Sequence, residues 1–207
     1  MYGDVAGRVG RLAVQGYMAI EGCKHLMRPN APLGPDLIRR YERTGLGFLL
    51  LNVVDELAVV VRGGGWDSHV HHILCAAAGA LNLGIARRTD DTEMQKEVLR
   101  IFMTLLANEC VTPSFNAYAL LARTGRGRGP GAMLAVASSI PMLKFRLVNT
   151  LSVLWRVHLG RRIGNTVEWR VFRASTTVFC LLLVALDCVW MRWAVAKLRV
   201  LARGRVR

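Results

Sequence analysis

Long uninterrupted apolar runs are missing from this 207-residue chain. Its best blocks extend over about 14 to 17 residues, short of the ~20 that a bilayer core demands, so no block taken singly establishes a membrane span. Acidic residues are scarce, with 14 Asp and Glu against 28 Lys and Arg and a formal net charge of +14. Paired cysteine spacing is missing too. Cys23, Cys75, Cys110, Cys180 and Cys188 show no CxxC arrangement, and four lie inside apolar runs. A disulfide framework is therefore not expected, and the thiols read as small hydrophobes. The opening "MYGDVAGRVGRLAVQ" has no continuous apolar core of the signal-peptide kind, so any targeting falls to internal helices. No helix-turn-helix, zinc-finger or aromatic RNA-binding signature accompanies the basic charge, and no nucleic-acid partner is expected.

What the chain does have is 53% hydrophobic residues and a positive mean hydropathy. Arg and Lys cluster between apolar blocks, as in loops that flank membrane spans. Residues 10–27 mix Leu12, Tyr17, Ile20 and Leu26 with Arg11, Glu21 and Lys24, which suits an amphipathic or polar-lined helix. "RPNAPLGP" (28–35) reads as a loop. Apolar blocks follow at 46–61, 70–86 and 98–111. A short segment at 114–122 comes next, then a long block at 131–157 interrupted at Pro141, and a last span at 174–190 before a basic tail, 191–207. If residues 98–122 form a hairpin or re-entrant pair, the clusters Arg39/Arg40/Arg43, Arg87/Arg88, Arg123/Arg126/Arg128 and the tail share one face, assigned as cytosolic. The stretch from Arg156 to Arg173 violates that pattern. The expected fold is an all-α, polytopic transmembrane bundle of about five to six membrane helices plus an N-terminal polar helix, in one domain over residues 1–207. An all-helical soluble domain is the alternative.

Several ionisable groups sit inside the apolar blocks. Asn52, Asp55 and Glu56 share one face of a helix; Asn108, Glu109 and Asp187 lie near the ends of later blocks. A charge in a span is costly and turns toward a partner, for which Lys144, Arg146 and the histidines are available. Such groups either lock the bundle together or line a polar chamber for a lipid headgroup or a reacting carbonyl. At the mouth of the second block, "SHVHH" places His69 and His72 on one helical face and His71 about 100° from His72. Imidazole can shuttle protons, capture an acyl group or simply sit at an interface, with Asp55, Glu56 or Glu109 orienting its ring. Three histidines of uneven facing with no set carboxylate spacing match a metal site poorly, and no metal is expected.

Taken in order, "GFLLLNVVDE" (47–56), "HHI" (71–73), "NECVTPSFNAYALLARTG" (108–125) and "MLKFRLVN" (142–149) resemble the TLC domain. That membrane family includes ceramide synthases and translocon-associated proteins. Asp55, the pair His71 and His72, Glu109, Thr112, Pro113, Phe115, Asn116 and Arg146 carry the match, which covers residues 10–156. The chain departs from ceramide synthases in having "MTLLANECVTP" (103–113) where a His-Asp pair is characteristic, which points to the non-synthase branch. It also begins near what would be an interior helix of the domain, as a shortened or truncated member would.

The resemblance implies an integral membrane protein of the endoplasmic reticulum or a related endomembrane, with its C-terminus cytosolic. It implies a role in lipid binding, sensing or remodelling, with Asn52, Asp55, Asn116 and Arg146 as lipid-binding residues. Membrane lipids are the expected partners, and no cofactor is expected. A second reading is an N-acyltransferase taking acyl-CoA as substrate. His71 or His72 would be catalytic there and Asp55 or Glu109 would orient the imidazole, in a site that must be dry. A third is a trafficking or cargo-receptor protein in which the polar groups only hold helices together and the terminal "RGRVR" is a retrieval signal.

Overall fold

The computed structural model describes residues 2–29, 31–62, 65–159 and 166–204. Those residues form seven α-helices: α1 (Tyr2–Met27), α2 (Pro35–Arg62), α3 (Trp66–Arg88), α4 (Thr92–Leu106), α5 (Thr112–Arg123), α6 (Pro130–Leu159) and α7 (Val167–Arg203). A 3-10 segment, Ala107–Val111, joins α4 to α5. Local chemistry marks the starts. The Asp91 carboxylate caps α4 by accepting from the backbone N–H groups of Glu93 and Met94, and Thr166 caps α7 by accepting from Trp169 N–H. Proline opens α2 and α6, where its missing N–H costs nothing. Gly125, at φ 75°, makes the turn that ends α5.

Side-chain pairs fix the directions of the rods. His25 meets Tyr41 between α1 and α2, and Glu56 meets His69 between α2 and α3. Along α6, Arg156 meets Glu97, Asn149 meets Thr104, and Ser138 meets Ser114. Partners of α6 thus advance steadily from α4 through the 3-10 segment into α5, so residues 92–123 act as one rod antiparallel to α6. His158 with Thr177 and Arg146 with Asp187 make α7 antiparallel to α6 in turn. Among the described residues the chain runs back and forth six times along one bundle axis.

This corrects the expected hairpin at 98–122. The Thr112-Pro113 step produces a change of helix type and not a reversal, because proline is tolerated in the first turn of α5. The basic clusters are therefore split. Arg39, Arg40, Arg43, Arg87, Arg88, Arg156, Arg170 and Arg173 belong to one end of the bundle. Arg123, Arg126, Arg128, Lys197, Arg199 and Arg203 belong to the other. The stretch at Arg156 to Arg173, anomalous in sequence, matches its neighbours at that end; Arg161 and Arg162 lie outside the described residues. Three further expectations change. Pro141 lies within a continuous α6, α2 extends through the basic segment before residue 46, and α7 continues to Arg203, so most of the expected tail is helix.

Three helices among the described residues are long and apolar enough to cross a membrane: Trp66–Arg88, Pro130–Leu159 and Val167–Arg203. That is fewer than the five to six expected, because charge is distributed through the others. The shorter α4 is buried from Glu97 to Leu106 and carries Glu97 and Arg100 with it. It forms the centre of the bundle, where Val98, Leu99, Ile101, Phe102 and Met103 pack against α1, α2, α3 and α6. Outward faces are apolar instead: Leu50, Val54 and Leu57 on α2, Leu134 and Val148 on α6, Val178 and Leu181 on α7 are exposed. Water-facing surfaces rarely carry such continuous apolar faces.

Close approach of α1 to the centre depends on Gly22. A Cβ there would come 2.7 Å from the Ala107 Cα, a backbone atom that cannot move aside, whereas one at Gly16 meets nothing within 4 Å. Gly22→Ala is expected to destabilise the bundle by about 1–3 kcal/mol through overpacking. Gly16→Ala should be neutral or slightly stabilising. Thermal unfolding of the two variants in detergent checks the contrast.

Candidate functional site

One end of the bundle opens into a cavity of about 650 Å³ lined by parts of α1, α2, α3, α5 and α7. Its size lies within the ~300–1,000 Å³ of small-molecule pockets. The half-turns that build it follow from helix periodicity. Asn52 and Asp55 lie one turn apart on the inner face of α2, and both are buried. Glu56 turns toward α3. There His69 Nδ1 donates to Glu56 Oε1 at 2.7 Å, and His72 Nδ1 stands 3.7 Å from Oε2. His71 points the other way, edge-on to Trp190 at 5.1 Å between ring centres and beside Cys75.

The structure brings six of the seven sequence-derived site residues to this one cavity: Asn52, Asp55, His71, His72, Glu109 and Asn116 all line it. Glu109 is placed by the 3-10 segment, and its Oε2 accepts from the Thr112 hydroxyl at 2.9 Å. Asn116 Nδ2 donates to Gln15 Oε1 at 2.9 Å, tying α5 to α1 across the floor. Ionisable groups thus converge from α2, α3, the 3-10 segment and, through Arg123, α5 on walls that also carry Leu51, Val111, Phe115 and Trp190.

Arg146 lies behind that wall. It is 1% exposed and its Nε stands 2.9 Å from Asp187 Oδ1, itself 2% exposed. Its guanidinium lies 5.1 Å from the centre of the Trp190 ring, a cation–π contact. It lines a separate void of about 20 Å³ with Cys75, Asn82, Asn108 and Glu109, room for about one water molecule. The other cation named from sequence, Lys144, is exposed and takes no part. Asn108, also expected among the chamber groups, is committed to structure. It donates to Thr150 at 3.0 Å and accepts from Asn149 at 2.8 Å.

Sequence reasoning missed the aromatic frame. Trp190 Nε1 donates to Asp67 Oδ2 at 2.9 Å, locking α7 to the start of α3, while Phe115 and Tyr118 pack edge-on against Trp193. Trp66, Trp190 and Trp193 all line the cavity. Their clustering at block ends was visible as a membrane-interface pattern, but nothing in the spacing showed that all three meet. Cys75 was also passed over, although it stands one helical turn after His71.

No family profile, curated protein or solved structure matches the chain significantly. The site is therefore described by its own geometry.

Removing one half of a buried ion pair strands the other. Arg146→Ala is expected to cost about 3–5 kcal/mol, measured by thermal or denaturant unfolding in detergent. The double variant Arg146→Met/Asp187→Leu should recover part of that loss, since neither member of the pair is then left without the other.

Proposed function

We propose that the protein is an integral membrane protein that binds and thereby senses or remodels membrane lipids, of the TLC type without classical ceramide-synthase chemistry. The observation that carries the reading is the cavity itself. It is a chamber at one end of a bundle with apolar outer faces, and its lining mixes polar groups with Leu51, Val111, Phe115 and three tryptophans. A lipid headgroup has the matching chemistry, with hydrogen-bonding atoms to meet Asn52, Asn116 and the imidazoles and an apolar remainder to lie along Leu51, Phe115 and Trp190. Trp66, Trp190 and Trp193 suit the depth where hydrocarbon meets water. The endoplasmic reticulum or a related endomembrane is the proposed location, on the strength of the TLC resemblance.

In this proposal all six rods, and not only the three most apolar helices, cross the bilayer. Charged α4 is shielded by its neighbours, as intramembrane charges require. The two bundle ends then lie on opposite sides. Single cysteines introduced by Arg88→Cys and Arg126→Cys in a cysteine-free background should react with a membrane-impermeant maleimide from opposite faces of sealed vesicles. Labelling from the same face would overturn the arrangement.

Native mass spectrometry of the detergent-purified chain should show a co-purifying lipid. Its occupancy is expected to fall at least about tenfold in Asn116→Ala or Asp55→Ala, in line with loss of charged or paired hydrogen bonds of ~1.5 kcal/mol or more. A wild-type chain that is lipid-free would overturn the lipid reading. The acyltransferase alternative has one observation in its favour, the imidazole of His71 facing a largely apolar cavity wall. Acyl transfer from acyl-CoA to a long-chain amine, lost in His71→Ala, would replace the binding reading with it.

A further inference from the structure

Three potential metal ligands of different chemistry meet at the back of the cavity. The imidazole of His71, the thiol of Cys75 and the carboxylate of Glu109 each offer an atom, and the three atoms lie within 4.8 Å of one another. We propose that His71, Cys75 and Glu109 form a three-ligand site for a zinc-class divalent ion whose fourth position faces the cavity.

Geometry is the first support. Atoms no more than 4.8 Å apart all lie within about 2.8 Å of a common centre, so zinc distances of ~2.0–2.3 Å need shifts under about 1 Å. His71 and Cys75 are one turn apart on α3, the spacing that puts two ligands on one helical face. Sγ stands 3.7 Å from Nδ1 and 3.8 Å from Nε2. Being nearly equidistant, the sulfur lies along neither nitrogen's lone-pair direction, so the His71 ring has to turn for one nitrogen to ligate an ion between the three groups. The sulfur–nitrogen separation already matches the ~3.5 Å edge of a zinc tetrahedron.

Support around the ligands is the second. Glu109 Oε2 accepts from Thr112 at 2.9 Å, which orients the carboxylate and leaves Oε1 for an ion. His71 is held edge-on by Trp190. Arg146, the nearby cation, has its Nε 2.9 Å from Asp187 Oδ1. Donor chemistry is the third. Mixed sulfur, nitrogen and oxygen donors at a tetrahedral separation select zinc over magnesium or calcium, which take oxygen alone. His71 and Glu109 also line the cavity while Cys75 lies behind it, so the open coordination position faces the chamber, as at sites that bind water or a ligand. On binding, the thiol releases its proton to solvent and sulfur binds as thiolate. The inference revises the expectation of no metal because Cys75 and Glu109, not His69, complete the set. It does not depend on which lipid, if any, occupies the cavity.

The full-length chain purified in mild detergent, stripped with chelator and reloaded with Zn²⁺, should retain about one ion per chain by elemental analysis. Reloaded with Co²⁺, it should show a thiolate-to-cobalt charge-transfer band in the near ultraviolet. Cys75→Ser should lose that band, and His71→Gln and Glu109→Gln should each weaken Zn²⁺ binding at least about tenfold. His69→Ala, whose ring faces Glu56, should leave affinity unchanged. The proposal is overturned if monodisperse, helical wild type retains well under one ion per chain in excess Zn²⁺. It is also overturned if the charge-transfer band survives in Cys75→Ser. The wild-type arm requires no variant to fold, and neither result depends on lipid occupancy.

Discussion

A guanidinium that is sealed from solvent has to be neutralised where it sits, and that requirement organises this bundle. Arg146 on α6 and Asp187 on α7 are both almost wholly buried and stand 2.9 Å apart. Taking either charge out of water is expensive, and the pair tolerates it only while both rods keep their register. Trp190, one turn beyond Asp187, covers the guanidinium and reaches Asp67 with its indole N–H. From one ion pair the constraint thus passes from α6 to α7 and on to α3, which fixes where His71 stands. At the opposite end Glu97 and Arg156 repeat the arrangement, with a two-pronged contact at 2.6 and 2.9 Å. Between these two charge contacts Asn149 and Asn108 supply a hydrogen-bonded ladder. The inner surface of the bundle is held by polar pairing, and the apolar residues are shared between the core and the outside.

Much of the architecture was legible in the chain. Helix is the local preference almost throughout, and the loop at residues 28–34 and the burial of Asn52, Asp55 and Asp187 follow from proline placement and the cost of exposed charge in an apolar block. The path of residues 98–122 was not. A Thr-Pro step is equally compatible with a reversal and with the first turn of a new helix, and only contacts with α6, distant in sequence, distinguish them. The error then spread, since counting basic clusters on one face assumes that each crossing is known. With both ends basic, charge bias alone does not orient this protein.

The site was legible as a set of residue types more than as a shape. Carboxylates and amides within apolar segments had to point inward, and four of them, Asn52, Asp55, Glu109 and Asn116, do share a cavity with His71 and His72. Their roles diverge for reasons of helical phase. Asp55 and Glu56 are adjacent in sequence yet face the cavity and α3 respectively, whereas His71 and His72 both line the cavity with their ring centres 5.5 Å apart. Arg146 matched the same pattern but is screened from the cavity by a tryptophan forty-four positions later, a contact that no spacing rule contains. Cys75 had looked like one more small hydrophobe, and only its meeting with Glu109 from another segment gives it a different meaning.

Burial of α4 bears on how the molecule is made. A helix that carries Glu97 and Arg100 has little affinity for hydrocarbon by itself, so if all six rods cross a bilayer as proposed, it does not enter as an independent unit. Glu97 has Arg100 of its own helix beside it, and gains Arg156 only once α6, synthesised later, has emerged. In the proposed membrane arrangement a half-finished intermediate therefore has to be held in a protected environment. The final helices have to arrive before the middle one can settle into lipid.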